Sequence, residues 1–108
     1  MSVKIQIEDK TVTAYLSEEI DHHIAVSLRS DIDYAVRDIG AKELILDFSG
    51  VTFMDSSGIG LVMGRYRLMS EMGGKVIIQD PPPAIKKVMK LSGVDRLAEI
   101  RNNIEEGI

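Results

Sequence analysis

The sequence predicts a single α/β domain in which helices pack against a mixed, mostly parallel sheet of about five strands. Two observations support this prediction. The chain has 108 residues, the usual length of one domain. Strand-like and helix-like hydrophobic patterns alternate in the order ββαβαβαβ, and such alternation requires crossovers that make successive strands parallel. We therefore expect one domain over residues 1–108, with its core at about 3–100 and a tail at 101–108.

The first third of the chain predicts a β-hairpin followed by a long helix. Apolar and polar residues alternate over 3–16, which is typical of two half-buried strands. A polar stretch follows at 17–23. Apolar residues then recur every three or four positions over 24–39 and stop at Gly40, as in a helix that ends on glycine. Asp21 is well placed to cap the first turn of this helix through its carboxylate.

The rest of the chain predicts alternating strands and helices. Residues 43–48 form a short apolar run of the kind found in central parallel strands, and a loop is expected from 49 to 54. Four further elements are predicted: a helix that opens at 55–58 and runs to Met72, a strand over 75–79, a helix that begins at Pro83 and ends at Gly93, and a short strand over 96–100.

Composition excludes several classes of protein. The 13 Lys and Arg residues against 17 Asp and Glu residues leave a net charge of −4, which repels nucleic-acid phosphates. The absence of cysteine excludes disulfides and thiolate metal sites. The longest apolar runs have three or four residues, too short for a signal peptide or a membrane span. We therefore expect a cytoplasmic protein with no direct nucleic-acid partner and no membrane partner.

Residues 55–58, Asp-Ser-Ser-Gly, are the most informative segment. Asp and Ser at a helix start accept hydrogen bonds from otherwise unpaired N–H groups, so one interpretation is a simple helix cap. The doubled serine beside a glycine also lies at the carboxyl end of a strand, where ligands and partners meet open α/β sheets. A phosphate on such a hydroxyl would lie in the field of the helix N-terminus.

The second helix has more apolar residues than one packing face requires. They form two stripes, one with Ile59, Val62, Met63, Tyr66 and Met69, the other with Leu61, Leu68 and Met72. The helix is either covered on several sides or partly free for docking, and both interpretations stay open. The glycines at 58, 60 and 64 lack the dinucleotide-binding spacing and a P-loop lysine, so we assign them to close helix packing.

Catalytic and metal-binding interpretations have less support. Asp55, Ser57 and either His22 or His23 are the residue types of a hydrolase triad, but the serine does not lie in a Gly-x-Ser-x-Gly turn. Asp21 and the two histidines offer metal ligands, yet adjacent residues at a helix start point in different directions. We therefore expect no catalytic residue, no metal site and no cofactor.

Two separated motifs resemble one protein family. Residues 53–60, Phe-Met-Asp-Ser-Ser-Gly-Ile-Gly, resemble the phosphorylation motif of anti-sigma factor antagonists, the stand-alone members of the STAS domain family. Residues 19–23, Glu-Ile-Asp-His-His, are similar to the Glu-Leu-Asp-His-His segment of the sporulation-type antagonist. Further matches lie at 64–66, 73–74 and 91–93. The resemblance covers roughly residues 3–100 and implies a STAS-like fold.

The resemblance implies a regulatory binding protein rather than an enzyme. Unphosphorylated members bind an anti-sigma factor that is also a serine kinase, and this binding frees a sigma factor for sporulation-type transcription. The kinase phosphorylates the antagonist, which then no longer holds it, and a PP2C-type phosphatase resets the switch. Aligned on this chain, the phosphoacceptor is Ser57, on the exposed side, and Ser56 caps the helix. The implied partner-binding residues are Asp21, His22, Asp55, Ser56, Gly58 and Ile59.

The chain departs from the family pattern at Glu18, where members commonly have Gly. We expect this exchange to change the shape of the loop after the second strand. The tail after Ile100 is also shorter than in many members. Three alternatives remain open: a STAS regulator of another circuit such as general stress signalling, a small nucleotide-binding domain, and a small hydrolase built on Ser57. The paired histidines favour the sporulation type.

Overall fold

The computed structural model describes residues 3–103 and contains the predicted order of elements. The strands are Val3–Glu8 (β1), Thr11–Ile20 (β2), Glu43–Met54 (β3), Lys75–Gln79 (β4) and Glu99–Arg101 (β5). The helices are His22–Ile39 (α1), Ser56–Glu71 (α2) and Pro83–Ser92 (α3), and a short 3₁₀ helix covers Val94–Arg96. The predicted fold class and the order ββαβαβαβ are confirmed.

The five strands lie side by side in chain order. The hairpin makes β1 antiparallel to β2, and every later pair is parallel, so the predicted mixed, mostly parallel sheet is confirmed. Because β2 and β3 are parallel neighbours, their carboxyl ends coincide, and Ile20 pairs with Met54. The helices that follow these two strands therefore begin next to each other.

The main hydrophobic core lies between one face of the sheet and the helices. Alternate strand residues such as Val12, Leu44 and Ile78 are fully buried there. Leu28 and Met69 cover them from α1 and α2. This packing fixes α1 and α2 against the sheet and so fixes the positions of their N-termini.

The other face of the central strands carries a polar network. The buried carboxylate of Asp47 accepts hydrogen bonds from the Ser49 hydroxyl at 2.6 Å and the Gln79 amide at 2.7 Å. Gln79 Oε1 in turn accepts from Arg101 Nη2 at 3.0 Å. These bonds satisfy a buried charge and connect β3, β4 and β5 on the face away from the main core.

The predicted helix ends agree with the structure. The Asp21 carboxylate accepts a hydrogen bond from the Ile24 N–H at 2.9 Å and caps α1. Gly40 and Gly93 end α1 and α3 with φ angles of 60° and 85°, a left-handed conformation that suits glycine. Pro83 begins α3, where its missing N–H costs no hydrogen bond.

Two sequence predictions about strand length are wrong. We expected the hairpin to end at residue 16 and the next strand to cover only 43–48, but β2 and β3 continue to Ile20 and Met54. Their extra residues pair with each other, with register shifts between Tyr15 and Ser17 and between Glu18 and Glu19. At these irregularities buried and exposed residues no longer alternate simply. The polar sequence at the ends of β2 and β3 is therefore typical of a loop, although the backbone there is paired in the sheet.

The C-terminal prediction is partly wrong. A strand was expected over 96–100, but the 3₁₀ helix includes Arg96 and β5 covers Glu99–Arg101. Of the expected tail at 101–108, residues 104–108 lie outside the described residues. Across 3–103, no helix is both long and apolar enough to span a membrane.

Candidate functional site

Two helix N-termini lie side by side at the carboxyl ends of β2 and β3. Each strand is followed by an aspartate that caps the next helix, Asp21 for α1 and Asp55 for α2. The Asp55 N–H donates to the Ile20 carbonyl oxygen at 3.3 Å, which joins the two segments. Asp21, His22, Asp55 and Ser56 are all exposed. The structure therefore brings Asp21 and His22 together with Asp55 and Ser56, although the two pairs are far apart in the sequence.

Asp55, and not Ser56, caps α2. The Asp55 carboxylate accepts a hydrogen bond from the Ser57 N–H at 2.8 Å. The expectation that Ser56 caps this helix is wrong, because the longer β3 places the capping position one residue earlier. Ser56 is the first helical residue and is exposed, whereas Ser57 is half-buried, so the expectation that Ser57 lies on the exposed side is wrong. The doubled serine is therefore not required for capping.

Gly58 and Ile59 are the less accessible residues at the start of α2. A Cβ on Gly58 would lie 2.6 Å from Met54 Sδ and 3.0 Å from Met54 Cβ, so any larger residue would force the Met54 side chain or the first turn of α2 to shift. Ile59 is half-buried and packs against the main core. These two residues hold the first turn of α2 in place, and the accessible groups are those of the preceding residues.

A groove runs between α1 and α2 and includes Ser57. Its volume is about 290 Å³, and it is lined by His22, Ala25, Val26, Arg29, Ser57, Gly60, Leu61, Gly64 and Arg65. A Cβ on Gly60 or Gly64 would meet nothing within 4 Å. The assignment of these two glycines to close helix packing is therefore wrong, although it holds for Gly58. Their missing side chains leave the groove open.

Arg65 forms one wall of this groove and was not identified as important from the sequence pattern. It is only 6% exposed, and its Nε lies 2.9 Å from Asp33 Oδ1, which connects α2 to α1. Burial lowers the pKa of the Arg65 guanidinium, the Asp33 carboxylate opposes this shift, and Arg29 and Arg37 add to it. Arginine remains protonated at neutral pH, so the Arg65 guanidinium is a positive charge buried between the helices and paired with Asp33. The available signals were a charged residue among the apolar stripes of α2 and the family resemblance at 64–66.

Most apolar residues of α2 are covered. Leu61, Val62, Leu68 and Met69 are buried, while Met63 is partly exposed. This outcome favours the interpretation in which the helix is packed on several sides. The larger exposed apolar group near the site is Phe53, which is 55% exposed and pairs with Glu19 in the extended part of the sheet.

The candidate triad and metal residues lie at the starts of α1 and α2. Ser57 and His22 line the same groove, but the Asp55 carboxylate is bonded to a backbone N–H of α2. The rings of His22 and His23 have centroids 6.3 Å apart and are tilted by 56°. In the part of the chain from 3 to 103, no cluster of three or more potential ligand side chains is arranged to hold a metal ion.

Glu18 adopts a left-handed conformation with φ of 64°, at the register shift in β2. Glycine takes this conformation without strain, whereas a residue with a Cβ does not. The expected change in a loop after β2 is not what the structure has, because residue 18 lies inside the extended strand.

Comparison with known proteins agrees with this fold. The sequence matches the STAS domain family over residues 2–107. It is 30% identical over 105 residues to the anti-sigma F factor antagonist of Paenibacillus polymyxa, covering 95% of this chain and 90% of that protein. It is 38% identical over 85 residues to the anti-sigma F factor antagonist of Lysinibacillus sphaericus, covering 79% and 73%.

Solved structures give the same result. The unphosphorylated anti-sigma factor antagonist SpoIIAA superposes with a TM-score of 0.85 at 31% identity, covering 96% of this chain and 90% of that one. The phosphorylated Bacillus cell fate determinant SpoIIAA gives 0.78 at 31% identity, covering 96% and 93%. The family match covers nearly the whole chain, and these structures have the same fold, so the chain belongs to the STAS domain family.

Proposed function

We propose that this protein is an anti-sigma factor antagonist of the sporulation type, switched off by phosphorylation of Ser57. Its partner is an anti-sigma factor that is also a serine kinase, and a PP2C-type phosphatase restores the unphosphorylated form. The protein is then a kinase substrate and a regulatory binding protein rather than an enzyme, and it acts in the cytoplasm. The observation that carries the proposal is the placement of Ser57 in a surface groove beside two exposed helix caps.

The partner-binding surface consists of the exposed residues Asp21, His22, Asp55 and Ser56 together with the groove. Gly58 and Ile59 contribute by fixing the first turn of α2. Phe53 adds an exposed aromatic group close to Asp55 in sequence, and aromatic residues are enriched in protein interfaces. The surface thus combines acidic groups, an aromatic side chain and a groove.

Charge and shape explain how phosphorylation would act on binding. The γ-phosphoryl group of ATP is transferred to Ser57 Oγ, which loses its proton, and ADP leaves. The phosphate adds about −1.5 to −2 charges beside the Asp55 carboxylate, which already occupies the Ser57 N–H. A hundredfold loss of affinity requires roughly 2.7 kcal/mol, and an unpaired phosphate at an interface supplies that much.

The first test is phosphate mapping. The protein is incubated with its cognate anti-sigma factor kinase and ATP, and the intact mass and fragmented peptides are measured. We expect one phosphate on Ser57 in the wild type and in Ser56→Ala, and none in Ser57→Ala. Ser56→Ala is the matched control because both serines begin the same helix. A phosphate on Ser56 would reverse the assignment.

The second test measures binding to the same kinase by calorimetric titration. Ser57→Ala should bind like the wild type and stay unphosphorylated, which gives constitutive release of the sigma factor. Ser57→Asp should bind at least about tenfold more weakly, equivalent to about 1.4 kcal/mol, because it places a charge in the groove mouth. Equal affinity of the two variants would contradict the electrostatic part of the proposal.

A further inference from the structure

We propose that two copies of this chain associate through the edge strand β1, in an antiparallel β1–β1 pair centred on Gln6. This surface shares no residue with the groove or the helix caps around Ser57. The proposal is therefore independent of the proposed function. A dimer of this kind would join two sheets into one and carry two acceptor surfaces.

Within residues 3–103, the outer edge of β1 has no strand partner, and the pairing of β1 with β2 is regular. β1 is the first strand in the sheet order, and its only strand partner within the described residues is β2. The pairing from Val3 to Glu8 has no register shift, and the strand contains no proline. Such an edge presents a row of unpaired N–H and C=O groups that another strand can bond.

The charges of β1 are self-complementary about Gln6. In an antiparallel pair centred there, Lys4 of each copy lies opposite Glu8 of the other, and Ile5 lies opposite Ile7. Lys4 and Glu8 are exposed, and neither has an ion-pair partner among residues 3–103. Opposite charges facing each other across paired strands are stabilising, and like charges are destabilising.

Other alignments of the same strands are less favourable. In a pair related by a two-fold axis perpendicular to the sheet, residues that face each other must have their side chains on the same face of the sheet. The axis must therefore pass beside a residue and not between two neighbouring residues, so the alternative centres are other single residues. Centring on Ile5 places Lys4 opposite Gln6, and centring on Ile7 places Lys4 opposite Lys10. A parallel pair places Lys4 opposite its own copy. Only the alignment on Gln6 forms both charge pairs.

Apolar groups continue this surface onto α1. Ile7 is 48% exposed and Tyr34 is 75% exposed. Tyr34 and the β1 residues Val3 and Ile5 line a groove of about 460 Å³ between β1 and α1. Because the two-fold axis keeps α1 of both copies on the same face of the joined sheet, this groove lies next to its equivalent in the second copy. Tyrosine beside exposed aliphatic groups is typical of the buried part of an interface.

Charge reversal tests this geometry by sedimentation velocity over micromolar to millimolar concentrations. Lys4→Glu and Glu8→Lys each turn two attractive pairs into two repulsive ones, and we expect each to weaken dimerisation by roughly tenfold. The double variant Lys4→Glu/Glu8→Lys restores both pairs with reversed sign and should recover the wild-type dissociation constant. Lys87→Glu, an exposed reversal on α3, is the control for net charge and should change nothing.

Three results would overturn the proposal: a wild type that is monomeric throughout this range, a dimer insensitive to both single reversals, and a double variant that stays as weak as the single ones. Thermal melts of all variants check that they are folded, which their exposed positions lead us to expect. Kinase binding and phosphorylation of Ser57 are measured separately, so a failed dimer does not count against the switch.

Discussion

At the scale of single residues, the site contains one backbone position that this chain occupies at a cost. Glu18 has φ of 64° in a strand, where a residue with a Cβ is strained by about 1–2 kcal/mol. The strain persists because the pairing of Glu18 with Val51 continues the sheet toward the helix caps. The pairing within the sheet therefore forces residue 18 into a conformation that glutamate does not favour.

Glu18→Gly should stabilise the protein by about 0.5–1 kcal/mol, because glycine relieves the left-handed strain while adding some freedom to the unfolded chain. Urea denaturation measures this change. Glu19→Gly is the matched control: the neighbouring residue is also exposed in β2 and has no positive φ, so it should destabilise. Destabilisation by both variants would show that residue 18 is not strained.

Two substitutions of Asp55 distinguish the stability contributed by its capping hydrogen bond from that contributed by its charge. Asp55→Ala removes the hydrogen bond to the Ser57 N–H and should cost about 1 kcal/mol in the free energy of unfolding. Asp55→Asn keeps a good cap and should cost only a few tenths of a kcal/mol. Thermal denaturation of the two variants checks this order. Equal losses would indicate that the charge, and not the cap, stabilises the helix.

At the scale of elements, α2 has glycines with opposite roles. Gly58 is required by the approach of Met54, whereas Gly60 and Gly64 face open space in the groove. Two unneeded glycines in a helix interior lower its stability relative to alanine. Their presence fits a groove kept open for a partner, with function set against stability.

Gly60→Ala and Gly64→Ala should each stabilise the fold by about 0.5–1 kcal/mol and also weaken binding to the anti-sigma factor, because a methyl group fills the groove. Gly58→Ala should instead destabilise the fold, since its Cβ meets Met54. Denaturation curves and binding titrations give both quantities. Unchanged affinity in both groove variants would exclude the groove from the interface.

At the scale of the whole molecule, phosphorylation should leave the fold intact. The phosphate adds negative charge beside Asp55, but the N-terminus of α2 favours negative charge by about 0.3–1 kcal/mol. Because these effects oppose each other, the melting temperature should move by less than about 8 °C, the change that about 1 kcal/mol produces in a domain of this size. Thermal melts followed by circular dichroism compare the two forms. Loss of cooperative melting after phosphorylation would mean that the switch works by unfolding.

Much of the fold is predictable from the sequence because the signals that set it are short-range. Hydrophobic periodicity and the residues at helix ends, such as Asp21, Gly40 and Pro83, predict the order of elements, because these signals act within one turn or one strand. The residue types of 55–58 likewise predict a helix start after a strand, which the structure has at this place.

Tertiary structure alone decided the shape of the site. The polar ends of β2 and β3 are strands only because they pair with each other, and residues 17–20 and 50–54 are distant in sequence. The groove depends on the distance between α1 and α2, which the core packing and the Arg65–Asp33 pair set. Such contacts join segments whose local sequences carry no signal of the pairing. The sequence therefore singled out the segment that contains Ser57, and the sheet and helix packing decided what surrounds that serine.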